Sequence, residues 1–307
     1  MNMERIAALD IGGTRIKACV FENGVSSPLA EADTPAREGP ARLLAQAGEL
    51  LEQFRPFAAI GVSTAGQVDS ASGVILYAND NLPGYTGTNV RGYFETRFGV
   101  PCTVLNDACA AALGEGIAGA ARGFSDYLCL TYGTGVGGGI ILSGKPYCGC
   151  GGSANPLPGG LITHPEQRRP GDPFSGTYER SASAGALVRA AQAADPSLCS
   201  GREIFARLDE PAVRSIVESW IEEVALGLVS LLHIFNVPCA VLGGGVLEQP
   251  FVLEGVQRRV KAQAIPGFQD TVIAAAKLGN AAGLRGAMES AALCLPNAGK
   301  SQAEVPR

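Results

Sequence analysis

Short apolar runs that end at glycine or polar residues recur along the chain and predict buried β-strands. These strands are expected at residues 4–11, 15–21, 58–63, 101–105, 126–132, 136–142 and 238–242, and near Val272. Apolar residues at helical spacing predict helices over 41–54, 211–235 and about 280–293, and an alanine-rich helix from Asn106 or Asp107 to about Ala121. Strands that alternate with helices are typical of an α/β fold. Residues 143–178 are rich in glycine and proline and are predicted to be irregular.

The first part of this pattern occurs twice. Leu9–Thr14 (LDIGGT) and Leu130–Gly135 (LTYGTG) each join two strands through a glycine turn, offset by 133 − 12 = 121 residues. Two similar halves would leave a cleft between them, where ligands usually bind in such architectures. We therefore expect a smaller α/β domain over residues 1–118, joined by a C-terminal helix at about 287–307, and a larger α/β domain over residues 119–286.

Composition narrows the class of protein. The 307 residues suit two compact domains, and 46% hydrophobic with 17% charged residues disfavours disorder. The net charge is −5 and no run is rich in Lys or Arg, which argues against nucleic-acid binding. No apolar stretch reaches the ~18 residues of a membrane span and no signal peptide is evident, so we expect a cytoplasmic protein without membrane contact. The nine cysteines are expected to be mostly reduced thiols.

Three glycine-rich turns follow apolar strands, at Asp10–Thr14, Thr131–Gly138 and Leu242–Val246. Backbone N–H groups in such turns form sites for anions. None of the three continues into Gly-Lys-Ser/Thr, and none fits G-x-G-x-x-G at the start of a helix. Each turn alone is also compatible with an ordinary hairpin, but three together favour a nucleotide site.

Two carboxylates suggest phosphoryl chemistry. Asp10 beside a phosphate-binding turn would need an intervening cation, and Mg²⁺ is usually held by one or two carboxylates and water. The alternative is that Asp10 only caps the turn. Asp107 follows a strand at the start of a helix, where an ionised carboxylate can accept the proton of a bound hydroxyl. The alternative for Asp107 is a plain helix N-cap.

Six motifs together resemble those of the ROK family (repressors, open reading frames, sugar kinases), in the family's order, within residues 6 to about 290. They are Asp10–Thr14 (DIGGT), Gly61–Asp69 (GVSTAGQVD), Asn81–Tyr85 (NLPGY), Asn106–Ala108 (NDA), Ala112–Glu115 (ALGE) and Gly133–Gly138 (GTGVGG). No winged helix of the repressor type fits before Asp10, so the kinase branch is the closer match. Ser175–Glu179 (SGTYE) resembles its β-glucoside kinase and glucokinase-like members.

This resemblance implies the actin-like superfamily fold, with two ribonuclease-H-like domains flanking a nucleotide and sugar cleft. It implies ATP bound by two phosphate loops and an adenosine contact, formed by Asp10, Gly12, Gly13, Thr14, Arg15, Thr131, Gly133, Thr134, Gly135, Gly243 and Gly244. Asp10 would organise Mg²⁺ through water, and Asp107 would be the general base that deprotonates the sugar 6-hydroxyl. The implied sugar contacts are Gly66, Asn81, Asn106, Asp107 and Glu179.

The chain departs from the family at residues 156–160. Family kinases carry Gly-Glu-x-Gly-His there, and the resemblance implies that this Glu and His hold sugar hydroxyls. This chain reads Pro-Leu-Pro-Gly-Gly instead, which puts Leu157 at the Glu position and Gly160 at the His position. A second register would bring in His164, with Leu161 at the Glu position. In both registers the Glu is absent.

A structural zinc is not expected. Cys148-Gly-Cys150 precedes the family's His position instead of following it, and the next cysteine is Cys199, so this local spacing does not supply four ligands. The Cys-x-Cys pair is interpreted as a glycine-flanked turn.

The sequence thus predicts a glucokinase-like enzyme that uses ATP and Mg²⁺ to phosphorylate a primary hydroxyl of a hexose or hexose derivative. The altered sugar site predicts that glucose is a poor substrate and that a glycoside or an N-acyl sugar is better. The alternative is a ROK protein that binds nucleotide and sugar with little or no catalysis. We further expect the protein to form a homodimer and to bind a small sugar as its substrate.

Overall fold

The computed structural model describes residues 5–149 and 155–295. Its contacts divide the chain into two compact units. Unit 1 comprises Met1–Ile117, Pro146–Asn155 and Asn280–Arg307, and unit 2 comprises Ala118–Lys145 and Pro156–Gly279. No helix within the described ranges is long and apolar enough to cross a membrane.

The strands and helices have the following bounds. The strands are β1 (Ile6–Ile11), β2 (Arg15–Glu22), β3 (Val25–Ser26), β4 (Ala30–Asp33), β5 (Ala59–Thr64), β6 (Gln67–Asp69), β7 (Val74–Tyr77), β8 (Cys102–Asn106), β9 (Tyr127–Tyr132), β10 (Val136–Leu142), β11 (Lys145–Pro146), β12 (Cys239–Gly243) and β13 (Val272–Ala275). The helices are α1 (Pro40–Glu52), α2 (Val90–Phe98), α3 (Asp107–Ala118), α4 (Tyr178–Ala182), α5 (Ala184–Ala194), α6 (Gly201–Ala206), α7 (Pro211–Phe235), α8 (Pro250–Gln263) and α9 (Ala282–Ala292).

The two main sheets repeat one strand order, as the duplicated sequence pattern predicts. The first sheet runs β3-β2-β1-β5-β8, with β4 on the far side of β2, and the second runs β11-β10-β9-β12-β13. In each sheet an antiparallel hairpin, β1–β2 or β9–β10, is followed by strands that run parallel to its first member. The carboxyl ends of the parallel strands therefore meet at one edge of each sheet.

Unit 1 has apolar layers on both faces of its sheet. Alternate residues of β1 point to opposite faces, so Leu9 and Ile11 pack with α1 and α2, while Ile6 and Ala8 pack with α9. The approach of α9 is close enough that a Cβ atom added at Gly61 would overlap the carbonyl group of Ala287. Glycine on β5 therefore lets this late helix lie directly against the sheet.

Unit 2 is organised around α7, which has the bounds that the apolar spacing predicts. Trp220 donates its indole N–H to the carbonyl oxygens of Ala182 and Ser183, at 3.1 and 2.9 Å. The buried Tyr178 hydroxyl donates to the Val224 carbonyl and lies 2.7 Å from the Tyr132 hydroxyl. Buried polar atoms thus tie α4 and β9 to the central helix.

Several elements escape the sequence patterns. The predicted strands of both main sheets are confirmed, but α2, α4, α5 and α6 and the β6–β7 pair were not predicted. Residues 143–178 are irregular apart from β11, as predicted, with 3₁₀ turns at Pro158–Gly160 and Pro165–Gln167 and isolated bridges.

Candidate functional site

The carboxyl edge of the unit 1 sheet gathers most of its predicted site residues. Asp10 on β1 lies opposite Ser63 on β5, and Thr64 on β5 lies opposite Asn106 on β8. Asp107 follows Asn106 as the first residue of α3. Parallel register therefore brings together residues that are nearly one hundred positions apart in sequence.

Asp10 is partly buried, and one of its two carboxylate oxygens accepts a hydrogen bond. The Ser63 hydroxyl donates to Asp10 Oδ1 over 2.8 Å, and Oδ2 makes no hydrogen bond to another described residue. Burial raises the pKa of Asp10, and this rise is opposed by the Ser63 hydrogen bond and the charge of Lys17. A single carboxylate with a free oxygen fits Mg²⁺, which keeps several water ligands.

Asn106 holds the start of α3 and orients its neighbour. Its side-chain Oδ1 accepts from the backbone N–H groups of Ala108 and Cys109, at 3.0 and 3.3 Å, which makes Asn106 the N-cap. Its Nδ2 donates to the Gly66 carbonyl and to Asp107 Oδ1, each over 2.8 Å. Gly66, Asn106 and Asp107 are therefore linked within unit 1.

Asp107 has the arrangement of a positioned base. Its Oδ1 accepts from Asn106 and from the Ala108 N–H, while Oδ2 makes no hydrogen bond to another described residue. Desolvation raises the pKa of Asp107, the nearby Asp10 charge raises it further, and the hydrogen bonds to Oδ1 act in the opposite direction. The side chain thus has a fixed orientation and one free oxygen of increased basicity.

The first glycine turn is a tight hairpin beside Asn81. The Gly12 N–H donates to the Arg15 carbonyl over 3.0 Å, and a Cβ atom added at Gly13 would lie 3.5 Å from Asn81 Cβ. The Thr34 N–H donates to the Thr14 carbonyl over 2.9 Å. Arg15, expected near phosphates, directs its guanidinium to β4 instead, 3.0 Å from Glu31 and 3.5 Å from Asp33.

The equivalent edge of unit 2 is built from glycine and threonine. Thr131 at the end of β9 lies opposite Gly243 at the end of β12. Gly244 has φ +114°, and a Cβ atom there would overlap the carbonyl of Tyr132. A glycine is therefore required where the turn after β12 approaches β9.

The second glycine turn lies at the start of α5. The Gly133 N–H donates to the Gly135 carbonyl over 2.9 Å, and the Gly185 N–H donates to the Gly133 carbonyl over 3.2 Å. The residues predicted for the second phosphate loop, including Thr134, therefore form one short turn fixed by backbone hydrogen bonds.

Glu179 reaches this turn from α4. Its Oε2 accepts from the Val136 N–H over 3.0 Å and lies directly beside Gly135, while Oε1 makes no hydrogen bond within the described residues. The predicted sugar-binding carboxylate is therefore held in place through one oxygen and has the other available.

The backbone at residues 156–160 distinguishes the two possible registers. A Cβ atom at Gly159 would overlap the Val136 carbonyl, so this position requires a glycine, and in the first register it is the glycine that precedes the family's His. The second register would instead place Thr163 at that glycine position. The geometry favours the first register, in which Leu157 and Gly160 replace Glu and His. Leu157 is 53% exposed, and its Cδ2 is 3.3 Å from where a Gly160 Cβ would lie.

His164 is engaged elsewhere in unit 2. Its Nε2 lies 2.7 Å from Glu223 Oε2 on α7, and its Nδ1 lies 3.1 Å from Glu166 Oε1. The hydrogen bond with Glu223 is the main reason that the pKa of His164 is raised. Neither ring nitrogen is free for a sugar hydroxyl.

Sequence reasoning missed several polar groups at or near these residues. Ser63 orients Asp10, and the Val136 N–H orients Glu179. Both residues lie within the quoted family motifs, but the sequence does not indicate these roles. Both amide atoms of Asn155 are buried without a partner within the described residues, directly before the altered segment. An unmatched polar residue beside a departure from the family pattern is a signal that could have identified Asn155.

The described residues contain no group of three or more His, Cys, Asp or Glu side chains that could hold a metal ion. Cys150 lies outside the described residues, and Cys148 Sγ lies 3.7 Å from Ser70 Oγ. The predicted absence of zinc stays a prediction.

Two α/β units that share this strand order, with glycine turns at the carboxyl ends of their strands, define the actin-like fold of sugar kinases. The chain belongs to the ROK family, whose model matches residues 6–293. The predicted family and fold are both confirmed.

Several relatives of the chain are sugar kinases. The chain is 30% identical over 292 residues to a β-glucoside kinase of Listeria innocua, covering 92% of this chain and 96% of that protein. The ROK hexokinase of Thermus thermophilus has 33% identity and a TM-score of 0.83, with 94% and 98% of the two chains covered. A ROK family glucokinase of Streptomyces griseus, solved with glucose and AMPPNP, has 28% identity and a TM-score of 0.74, with 94% and 99% covered. These similarities support phosphorylation of a sugar in general.

Proposed function

We propose that this protein is a glucokinase-like kinase that uses ATP and Mg²⁺ to transfer a phosphoryl group to a primary hydroxyl of a hexose derivative. The observation that carries the proposal is the Asp107 carboxylate, which has one oxygen fixed by Asn106 and Ala108 and the other free. The sugar kinase relatives and the glucokinase crystallised with glucose and AMPPNP support both the reaction class and ATP as the donor.

In this proposal unit 1 supplies the base and part of the sugar site. Asp107 accepts the proton of the attacking hydroxyl, and its raised pKa makes it a better acceptor than an ordinary aspartate. Gly66 and Asn81 contact the sugar, and Asn106 lies beside it with its amide already engaged by Gly66, Asp107 and the start of α3. The hydrogen bond from Asn106 keeps the free oxygen of Asp107 in a constant orientation, which lowers the cost of reaching a reactive geometry.

The nucleotide is held by backbone groups and by Asp10. The N–H groups of Gly13, Thr14, Thr134 and Gly135 would bind phosphates, because those of Gly12 and Gly133 already donate within their turns. Thr131 lies beside the second turn, and Gly243 and Gly244 would contact the adenosine. Asp10 would hold Mg²⁺ through water by the oxygen that Ser63 leaves free. When bound, the cation neutralises charge on the transferred phosphate.

The altered segment sets the class of sugar. Glu179 retains one free oxygen, but Leu157 offers no acceptor and covers Gly160. A hexose with two free hydroxyls at this place would lose hydrogen bonds, each worth roughly 1–3 kcal/mol when buried groups are left unpaired. The substrate is therefore a hexose substituted on that side, such as a glycoside or an N-acyl sugar.

A second candidate is a ROK protein that binds nucleotide and sugar with little catalysis. The replacement of the family's Glu and His by Leu157 and Gly160 favours it. The positioned Asp107 favours the kinase, because a protein that only binds has no need for a base with a free oxygen.

The decisive experiment measures ATP consumption against a panel of hexoses, glycosides and N-acyl sugars with wild type and Asp107→Asn. The kinase predicts turnover for at least one substituted hexose and its loss in the variant. Sugar binding without turnover across the panel would favour the second candidate. Asp270→Asn, an exposed aspartate on unit 2, is the matched control.

The protein is also proposed to be a homodimer in the cytoplasm. Light scattering would give about 63 kDa, twice the 31.5 kDa chain. A mass of one chain at micromolar concentration would contradict the dimer.

A further inference from the structure

The loop between His164 and Tyr178 in unit 2 forms the wall of a cavity. The cavity has a volume of about 510 Å³ and is lined by Glu166, Arg168, Arg169, Asp172, Ser175 and Arg180, among others. Neither the proposed nucleotide contacts nor the proposed sugar contacts line it. Three guanidinium groups therefore line one cavity of a chain whose net charge is −5.

Hydrogen bonds within the loop fix the wall of this cavity. Arg168 Nη1 donates to the carbonyls of Pro173 and Ser175, at 2.9 and 2.7 Å. The buried Ser175 hydroxyl donates to the Asp172 carbonyl over 2.7 Å and accepts from the Arg169 N–H over 2.8 Å. The other nitrogens of the Arg168 guanidinium have no hydrogen-bond partner in the described part of the chain. Arg168 is thus fixed in position while keeping free donors.

The cavity has an excess of positive charge. Of its two acidic residues, Asp172 lies 3.5 Å from Arg180, and Glu166 lies 3.1 Å from His164, whose raised pKa favours the charged imidazolium. The Arg169 side chain makes no ion pair or hydrogen bond with another described residue. Two carboxylates therefore face three guanidinium groups, and one of these groups is uncommitted.

We propose that this cavity is a binding site for an oxyanion, either a phosphate or a carboxylate group. A planar guanidinium binds such groups with two parallel hydrogen bonds, and a braced guanidinium loses little freedom on doing so. The anion is either free inorganic phosphate or an anionic group carried by the sugar substrate. The second source rests on the proposed function, because Arg180 directly follows the sugar-binding candidate Glu179 on α4.

Binding of inorganic phosphate tests the site without any turnover. A ³¹P NMR titration at low ionic strength is expected to show saturable binding to wild type, weakened about fivefold to tenfold in Arg169→Gln and in Arg180→Gln. Arg258→Gln on α8 makes the same charge change outside the cavity and is expected to bind as wild type does. Asp172→Asn should shift affinity in the opposite direction, because it removes a negative charge and releases Arg180 while the amide oxygen can still accept the Phe174 N–H.

Kinetics identify the source of the anion. A phenyl glucoside and its para-carboxyphenyl counterpart are compared as substrates of wild type, Arg169→Gln and Arg258→Gln. A loss of kcat/KM confined to the carboxylated glycoside with Arg169→Gln places the anion on the substrate. Unchanged kinetics together with weakened phosphate binding indicate free phosphate.

The proposal is overturned if phosphate binding and the carboxylated glycoside respond to Arg169→Gln no more than to Arg258→Gln. If no glycoside is turned over at all, the proposed function fails, while the phosphate titration still decides for or against the cavity.

Discussion

In unit 1 the parallel strands β1, β5 and β8 carry Asp10, Thr64 and Asn106 at or one residue before their carboxyl ends, whereas in unit 2 the corresponding positions of β9 and β12 are Thr131 and Gly243. The strand order is the same in both sheets. Unit 1 therefore presents carboxylates and amides at its edge, and unit 2 presents backbone N–H groups with little side chain around them.

This difference shows that the sheet topology specifies where a site forms but not its chemistry. Asp10 and Asp107 require hydrogen-bonding neighbours such as Ser63 and Asn106. Gly244 requires only that no side chain be present. Substitutions at this edge of unit 1 should therefore lower turnover. Substitutions in unit 2 should instead disturb the backbone and lower the free energy of unfolding.

The largest effect is expected in unit 1. Asp107→Asn should lower turnover on the best sugar by roughly 10²–10⁴, the usual cost of losing a general base, with stability and nucleotide affinity nearly unchanged. Steady-state kinetics and nucleotide titration measure both, with Asp270→Asn as the control. Near wild-type turnover in Asp107→Asn would show that another group takes the proton.

The altered segment of unit 2 should affect the choice of sugar. Glucose is expected to have a kcat/KM below about 10⁴ M⁻¹s⁻¹, the low end of ordinary enzymes. A Leu157→Glu, Gly160→His double variant should raise it by at least about tenfold, because it supplies two polar contacts. Leu157→Ala is the control, since it removes the apolar side chain without adding an acceptor. Efficient use of glucose by wild type would refute this explanation.

Backbone dependence in unit 2 can be tested with two adjacent glycines. Gly244→Ala should lower the free energy of unfolding by roughly 2–4 kcal/mol, because positive φ disfavours alanine and the new Cβ overlaps the Tyr132 carbonyl. Gly245→Ala should have little effect, since no atom lies within 4 Å of its added Cβ. Urea denaturation measures both, and equal losses would contradict the steric argument.

His164 should give unit 2 a modest dependence on pH. Because its pKa in the folded state is raised above 6.5 mainly by the hydrogen bond with Glu223, its stabilising contribution is complete below that value. The contribution is lost as the pH rises through the raised pKa, and it should amount to about 1 kcal/mol or less for a partly exposed pair. Unfolding free energies of His164→Gln across this range should lack that decline, while His233→Gln should keep it. A decline of equal size in His164→Gln would assign it to another group.

The smallest effect is expected when metal ions are removed from the protein. Purified protein should contain no stoichiometric zinc, and chelation should leave the thermal unfolding midpoint unchanged, because Cys148 and Cys150 lack further ligands at suitable spacing. Elemental analysis showing about one zinc per chain would contradict this.

The sequence was most informative where a pattern repeats or a motif is dense. The hairpins β1–β2 and β9–β10 and the amphipathic α7 follow directly from apolar spacing. The short α4 and the weakly patterned α2 do not, because tertiary packing, rather than local periodicity, stabilises them.

The residues of the candidate site could be predicted from the sequence, but their arrangement in space could not. Asp107 could be singled out, but the competing N-cap role could only be assigned once Asn106 was seen to fill it. The pairing of Arg15 with Glu31 and Asp33 depends on the position of β4, which no local pattern indicates. The preference for the first register at residues 156–160 depends on the close approach of Gly159 to Val136, which the sequence does not indicate.

The packing of α9 against β1 and β5 also has a consequence for synthesis of the chain. Strand β1 is synthesised before β2, β5 and β8, yet one face of the sheet that they form stays uncovered until residues 282–292 emerge, after the described part of unit 2. Ile6 and Ala8 on that face are thus exposed for most of translation, a period in which chaperones can bind them. Truncation just before α9 should trap nascent chains in this state, with unit 2 already able to fold.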